Sequence, residues 1–347
     1  MKKEKWIFPA EWEKQEGVLL CFPHNGKDWP GKYGAIQWAF IEFIKKIAEF
    51  ERVMVVVSSE KLRDKVHGML SMAHVKTNRV SFIVHKTNRS WMRDSGPIIV
   101  KNGKQRKALN FNFNGWAKYP NYKLDRHVPS KVADFLNIPV EKAVYKGKPI
   151  VLEGGAIDVN GKGTLITTEE CLLDPKIQVR NQRFTKEDYE KIFKEYLGVT
   201  NTIWLGEGIK GDDTHGHVDD LARFVSPNTI VTVIEENPSE INHKALRENF
   251  QRLEESVLEN GERPTVIPLP MPKRIDFDGL TLPASYANFL ILNHAVLVPT
   301  FNDSRDSEAL NLLTNIFPDR EVIGISAIDL IWGFGTLHCL SQQIPSS

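Results

Sequence analysis

The 347-residue chain is 41% apolar and 26% charged, and its 45 basic side chains almost balance 44 acidic ones. That profile excludes intrinsic disorder and provides no global basic field for nucleic acid. The apolar runs stop short of a bilayer span, since even residues 289–298 are broken by Asn293 and His294.

In chain order, residues 1–12 alternate charges with aromatics and lack the apolar centre of a signal peptide, so a cytoplasmic protein without membrane partners is expected. Residues 17–22 read as an apolar strand, 34–50 as an amphipathic helix and 53–57 as a second strand. A hairpin is predicted over 97–114, turning at residues 101–104, and another over 155–173, turning at 160–163. A helix over 185–197 follows, capped by Thr185 and carrying Tyr189, Ile192, Phe193 and Tyr196 on one face, and then a strand over 202–205. The pattern recurs as a hairpin over 221–235 around Ser226-Pro227-Asn228, a helix over 242–258 and a strand over 264–269. It recurs again as a hairpin over 287–300, a helix over 304–317 and a strand over 321–325. The hairpins start roughly sixty residues apart, which reads as repeated architecture. One such unit cannot cover its own apolar face, so about five units packed around a shared axis are expected, with polar hairpin ends converging there. An ordinary mixed α/β sheet is the alternative. No Pro/Gly/Ser-rich linker divides the chain, and residues 1–347 are read as one catalytic domain.

The hairpin mouths carry the chemistry. Trp91-Met92-Arg93-Asp94 precedes the first, Glu153-Gly154-Gly155 opens the second, residues 211–220 with His215, His217, Asp219 and Asp220 precede the third, and residues 333–339 end in His338-Cys339. Two carboxylates facing each other in a closed site need a shared cation, and the planar cation they suit is a guanidinium. A thiolate such as Cys339 can attack its central carbon, and a histidine such as His217 can protonate the departing ammonia and then activate water, leaving a urea. Bound cation would stabilise the thiolate without a neighbouring Lys or Arg. Blander readings stand beside these. Cys21 and Cys171 sit in apolar strand patterns as inert residues, Glu153 marks a turn, and Asp94 caps a turn or pairs with Arg93. His215, His217 and Asp219, at alternate positions if this run is a strand, would make a metal site together with Asp220. No CxxC pair, even disulfide framework or phosphate-binding glycine loop is present.

The combined motifs resemble a known family. Pro9-Ala10-Glu11-Trp12-Glu13, Glu16-Gly17 and Phe22-Pro23-His24 are similar to the start of the agmatine deiminases, the bacterial-type peptidylarginine deiminase family. Trp91-Met92-Arg93-Asp94-Ser95-Gly96-Pro97, Glu153-Gly154-Gly155, Gly216-His217-Val218-Asp219 and the run from His338 to Pro345 follow in the family's order. The resemblance implies the α/β pentein fold, five ββαβ units around a pseudo-fivefold axis, and deimination of a small guanidine with neither cofactor nor metal. It implies Cys339 as nucleophile, His217 as acid and base, and Asp94 and Asp219 as the guanidinium-binding carboxylates. Trp91 would lie against the substrate's alkyl chain, and Trp116, Asp213 and Glu153 complete the expected substrate-binding set, the role of Glu153 left open. Agmatine is the expected substrate, giving N-carbamoylputrescine and ammonia. Arginine or peptidyl arginine, or amidino transfer to an amine, are the alternatives, and a homodimer is expected by analogy. Two positions depart from the family: Asp213 stands where many agmatine deiminases have Glu, and bulky Phe334 interrupts the glycine-rich run before the cysteine.

Overall fold

Helix formation follows the apolar spacing. In the helix Tyr33–Phe50 the residues Ile36, Phe40, Phe43, Ile44 and Ile47 recur every three or four positions, and all are buried. Full burial of each such side chain contributes about 1.5–3 kcal/mol. The helix Lys186–Ile192 starts at a capping box in which Thr185 and Asp188 satisfy each other's backbone N–H groups, and a π-turn, Phe193–Leu197, extends it to the expected end.

The computed structural model describes residues 5–347. Among them are five sheets of one kind, each an antiparallel pair whose second strand is joined in parallel by a strand beyond a helix. Three match the expected units closely. Asp158–Val159 and Thr164–Thr168 lead to Asn201–Leu205, Ala222–Ser226 and Thr229–Ile234 to Thr265–Pro270, and Leu290–Ile291 and Ala295–Thr300 to Glu321–Ser326. The hairpin of Ile98–Asn102 and Gln105–Asn110 completes its unit with the helix Val128–Leu136, whose Val128, Val132 and Ala133 are buried, and the short strand Val140–Lys142. These units make up the pentein fold expected from the resemblance.

The remaining unit is assembled from both ends of the chain. Gln15–Cys21 pairs antiparallel with the C-terminal strand Ser341–Pro345 and parallel with Arg52–Val57, and a helix, Glu60–Met72, and a further parallel strand, Val80–Val84, widen this sheet. The C-terminal strand, whose Ser341-Gln342-Gln343 start looks polar, is buried throughout because it closes the ring against the first strand. Its pairing carries Cys339 to the axis.

Hairpin starts of neighbouring units touch there. The short turn Gly154–Ala156 contacts both Met92–Ser95 and Val218–Asp220, and Met92–Ser95 contacts Ser341–Pro345. Among the described residues no helix is long and apolar enough to cross a membrane.

Candidate active site

Asp94 lies in the single helical turn Met92–Ser95, where its carboxylate is held from two directions. Trp116 Nε1 donates to Oδ2 at 2.9 Å and the Gly155 N–H donates to Oδ1 at 3.2 Å. Its neighbour Arg93 turns away to Gln343, Glu11 and the His338 carbonyl, so Asp94 neither caps that turn nor pairs with Arg93. His217 Nδ1 stands 3.7 Å from Asp94 Oδ1, and neither ring nitrogen has a hydrogen-bond partner among the described residues. Gly155 is what permits this approach, because a Cβ there would sit 2.5 Å from His217 Nδ1.

On the opposite side, Cys339 Sγ lies 3.6 Å from Asp219 Oδ2, and Asn288 Nδ2 donates to the sulfur at 3.0 Å. The backbone leading to Cys339 passes under the indole of Trp91, for a Cβ on Gly335 would be 2.6 Å from that ring. Asn288 also donates to Asp220 Oδ1 at 2.9 Å, while its own oxygen accepts Thr336 Oγ1 at 2.7 Å and the His338 N–H at 3.0 Å. Free buried oxygens remain on Asp219 and Glu153. Such unsatisfied groups gathered at one place mark a site built for a ligand.

A cavity of about 440 Å³ opens onto this cluster. Trp91, Asp94, Trp116, Asp213 and Cys339 line it, together with Phe334. His217, Asp219 and Glu153 stand behind that lining and are buried. Asp213 is at its outer part, where Lys118 Nζ pairs with it at 2.6 Å and the Tyr119 hydroxyl donates to it at 2.7 Å. Phe334 has φ 66°, so the departure from the glycine-rich pattern keeps a left-handed backbone and adds a ring to the cavity wall.

The electrostatics follow from burial and from these neighbours. Burial pushes Asp94 up to about 6, opposed by His217 and reinforced by Asp219 and Glu153. Burial would lower His217, but the charges of Asp94, Cys171 and Asp219 outweigh it and hold the imidazole well above its usual value. Asp219 lies below the usual carboxylate range because His338, by hydrogen bond and charge, and then His217 and Arg223, overcome its burial. Asp220 is pushed far up by burial and by Asp219 and Asp212. Cys339 is also held well above the usual thiol value by burial and by the charges of Asp219, Asp220 and Asp94. Without a ligand the sulfur is therefore a thiol facing excess negative charge, and a bound cation reverses the dominant repulsion.

The metal alternative is corrected by the backbone. Val218–Asp220 is a 3-10 turn, not a strand, and His215 points away to Asp174 at 3.0 Å and Glu170 at 3.5 Å. Among the described residues two other buried trios are close enough to hold a cation: Glu153, Cys171 and His217, and Asp219, Asp220 and Cys339. The buried guanidinium of Arg180, 3.0 Å from Glu153, opposes a metal at the first. In the second, Asn288 Nδ2 already donates to Asp220 and Cys339, and the His338 ring meets Asp219.

These geometries coincide with a family match. The Porphyromonas-type peptidyl-arginine deiminase family model covers residues 7–345. The chain belongs to this family. An agmatine deiminase structure of Enterococcus faecalis, described as catalysing its reaction, is 30% identical with a TM-score of 0.90, over 99% of this chain and 96% of that one. A Cys-to-Ser variant of C. jejuni agmatine deiminase with substrate bound is also 30% identical, with a TM-score of 0.87 over 99% and 97% of the two chains. DDAH from Pseudomonas aeruginosa, at 12% identity and a TM-score of 0.53, shares the fold alone.

Placed within the family, this chain still holds residues that sequence reasoning missed. Asn288 looked like the first residue of an apolar hairpin strand, and no local signal separates it from a turn asparagine. Cys171, expected in a strand, sits in the short helix Glu169–Leu173, with its sulfur within 4.8 Å of His217 and Glu153 ligand atoms. Arg180 joins Glu153 to the Thr214 carbonyl at 2.5 Å and thereby ties two of the converging segments together. Glu11 and His338 were visible inside the motifs, but only the fold shows them in contact.

Proposed function

We propose that the protein, acting as one catalytic unit over residues 1–347, hydrolyses agmatine to N-carbamoylputrescine and ammonia through a covalent amidino intermediate on Cys339. The observation that carries this reading is the placement of Cys339 Sγ 3.6 Å from Asp219, in the cavity that Asp94 lines and His217 backs. The agmatine deiminases among its relatives, about 30% identical over nearly the whole chain, support the substrate.

The guanidinium enters with Asp94 and Asp219 as its two acceptors, and its charge offsets the repulsion that keeps Cys339 protonated. As the cation binds, the Cys339 thiol loses its proton to bulk water; the thiolate adds to the central carbon, and the protonated imidazole of His217 donates to the departing nitrogen, which leaves as ammonia. Neutral His217 then takes a proton from water as its oxygen adds to the same carbon. The carbon–sulfur bond breaks, the added oxygen's remaining proton is lost to give the neutral urea, and the departing thiolate takes up a proton as the product leaves. Trp91 flanks the alkyl chain, Trp116 steadies Asp94 through its N–H, and Glu153 with Arg180 supports the wall behind His217. Asp213, already paired with Lys118 and Tyr119, acts at the outer end of the substrate.

Incubation of purified protein with agmatine, free arginine and a peptidyl arginine, following ammonia and ureido product, tests the reading. Agmatine is expected to rank first, and no turnover of any of the three ends the proposal. Cys339→Ser is expected to abolish turnover while the far-UV spectrum and agmatine binding persist. A cytoplasmic location and a homodimer belong to the same proposal, to be checked by cell fractionation and light scattering.

A further inference from the structure

His338, next to the nucleophile in sequence, points away from the cavity into the axis. Its ring is buried between two carboxylates, with Nδ1 2.7 Å from Asp219 Oδ2 and Nε2 2.8 Å from Glu11 Oε2. A neutral imidazole has one N–H and can satisfy only one ionised carboxylate, whereas the imidazolium donates to both. The surrounding charges call for the same state. Glu11 also meets Arg223 at 2.6 Å and Arg93 at 3.8 Å, and Arg223 meets Asp158 at 3.2 Å. Three carboxylates, Glu11, Asp158 and Asp219, thus face two guanidiniums, and the His338 ring is the remaining group placed to donate to two of them.

We propose that His338 is a positioning residue for Asp219: as an imidazolium it occupies Oδ2, leaves the unpartnered Oδ1 as the acceptor for substrate, and keeps the carboxylate ionised. Two adjacent acids illustrate the effect. Asp219, bonded to His338, is held below the normal range, whereas Asp220, given only an amide N–H by Asn288, is driven well above it. The same residue also fixes the nucleophile's turn, because its N–H donates to Asn288 Oδ1 at 3.0 Å and its carbonyl accepts Arg93 Nε at 3.3 Å. One residue therefore sets the relation between the sulfur and the carboxylate beside it, through its ring on Asp219 and its backbone on Asn288 and Arg93.

The kinetic part of the test rests on the proposed agmatine reaction, and the spectroscopic part does not. In His338→Gln, which keeps a donor but no charge, Asp219 faces burial, Asp94 and Asp220, with His217, Arg93 and Arg223 as its remaining cations. Asp219 is then expected to titrate above Asp94, whose ionisation near 6 sets the wild-type acid limb, so the limb of kcat/KM for agmatine moves up by at least about one pH unit and the agmatine KM rises at least tenfold, with a smaller loss in kcat. Glu11→Gln, the milder change, is expected to move the limb in the same direction. An unmoved limb with KM within twofold in both variants overturns the proposal. Independently of any substrate, infrared difference spectra at pH 7 are expected to show a protonated carboxylic band in His338→Gln that disappears when Asp219→Asn is added. If that band is missing, the inference fails even where agmatine is turned over. If it is present in an enzyme that ignores agmatine, only the substrate assignment fails.

Discussion

Asn288 and Cys339 are joined by a direct hydrogen bond, the amide nitrogen donating to the sulfur at 3.0 Å from a unit 51 residues earlier in the chain. The same nitrogen serves Asp220, so one amide stands between a thiol and a carboxylate that would otherwise repel each other's ionised forms. A hydrogen bond to an ionised group is worth about 1.5–3 kcal/mol, roughly ten- to a hundredfold in an equilibrium. Asn288→Ala is therefore expected to shift the pH midpoint of Cys339 alkylation by iodoacetamide upward and to lower kcat by about that factor. An unchanged alkylation profile would show that the amide does not tune the sulfur.

Burial of Asp94 makes stability and activity depend on pH in opposite directions. Its folded value, about 6, lies above the ordinary 3.8, so the folded state holds the proton more tightly than the unfolded one. Stability contributed by this group is full below about pH 4 and is lost as pH rises through 6. Asp94→Asn should accordingly melt higher than wild type at pH 7 to 8, by up to about 3 kcal/mol as a ceiling, and show no gain below pH 4. Activity should move the other way, since wild-type kcat/KM rises through pH 6 as the carboxylate ionises and the variant loses turnover. Melting curves and pH-rate profiles on the same samples check both signs.

Gly155→Ala probes the spacing between the carboxylate and the imidazole. The added methyl would stand 2.5 Å from His217 Nδ1 and 3.0 Å from Asp94 Oδ1, both buried, so one of them must move. Displacement of about 1 Å at a reacting group commonly removes about a hundredfold in rate. We expect a loss of that order in kcat, with the circular dichroism spectrum retained; wild-type turnover in the variant would mean that this contact has no catalytic consequence.

Phe334→Gly separates backbone strain from cavity shape. The left-handed φ of 66° is cheaper for glycine, by about 1 kcal/mol, while the ring's removal opens the wall beside Trp91 and Cys339. Stability is expected to change by less than about 1 kcal/mol, the two effects opposing each other. KM for agmatine should rise several-fold, and the discrimination against bulkier peptidyl arginine should relax. Equal selectivity in variant and wild type would remove Phe334 from the specificity determinants.

Much of the architecture was legible because its signals are local. Alternating apolar runs around Ser226-Pro227-Asn228 and Asn160-Gly161-Lys162-Gly163, and the three- and four-residue spacing after Thr185, are enforced by side-chain periodicity whatever the rest of the chain does. Val128–Leu136 escaped notice because it is only nine residues long, although Val128, Val132 and Ala133 share a buried face, and Val140–Lys142 because it has three residues, none of them buried. The strand Ser341–Pro345 escaped for the opposite reason: it is wholly buried, but its Ser and Gln residues are polar, and their burial is justified only by partners at the other end of the chain.

For the site, the sequence by itself determined which groups were available: one thiol in a conspicuous turn, a histidine among aspartates, and glycines marking close approach. Tertiary structure alone decided how those groups are paired and charged. Asp219 and Asp220 are neighbours of one residue type, yet contact with His338 on one and with Asn288 on the other drives their acidities apart. Coulomb and desolvation energies depend on distance and burial in space, and separations of 51 to 327 residues, as for Asn288 with Cys339 and Glu11 with His338, leave no trace in local pattern.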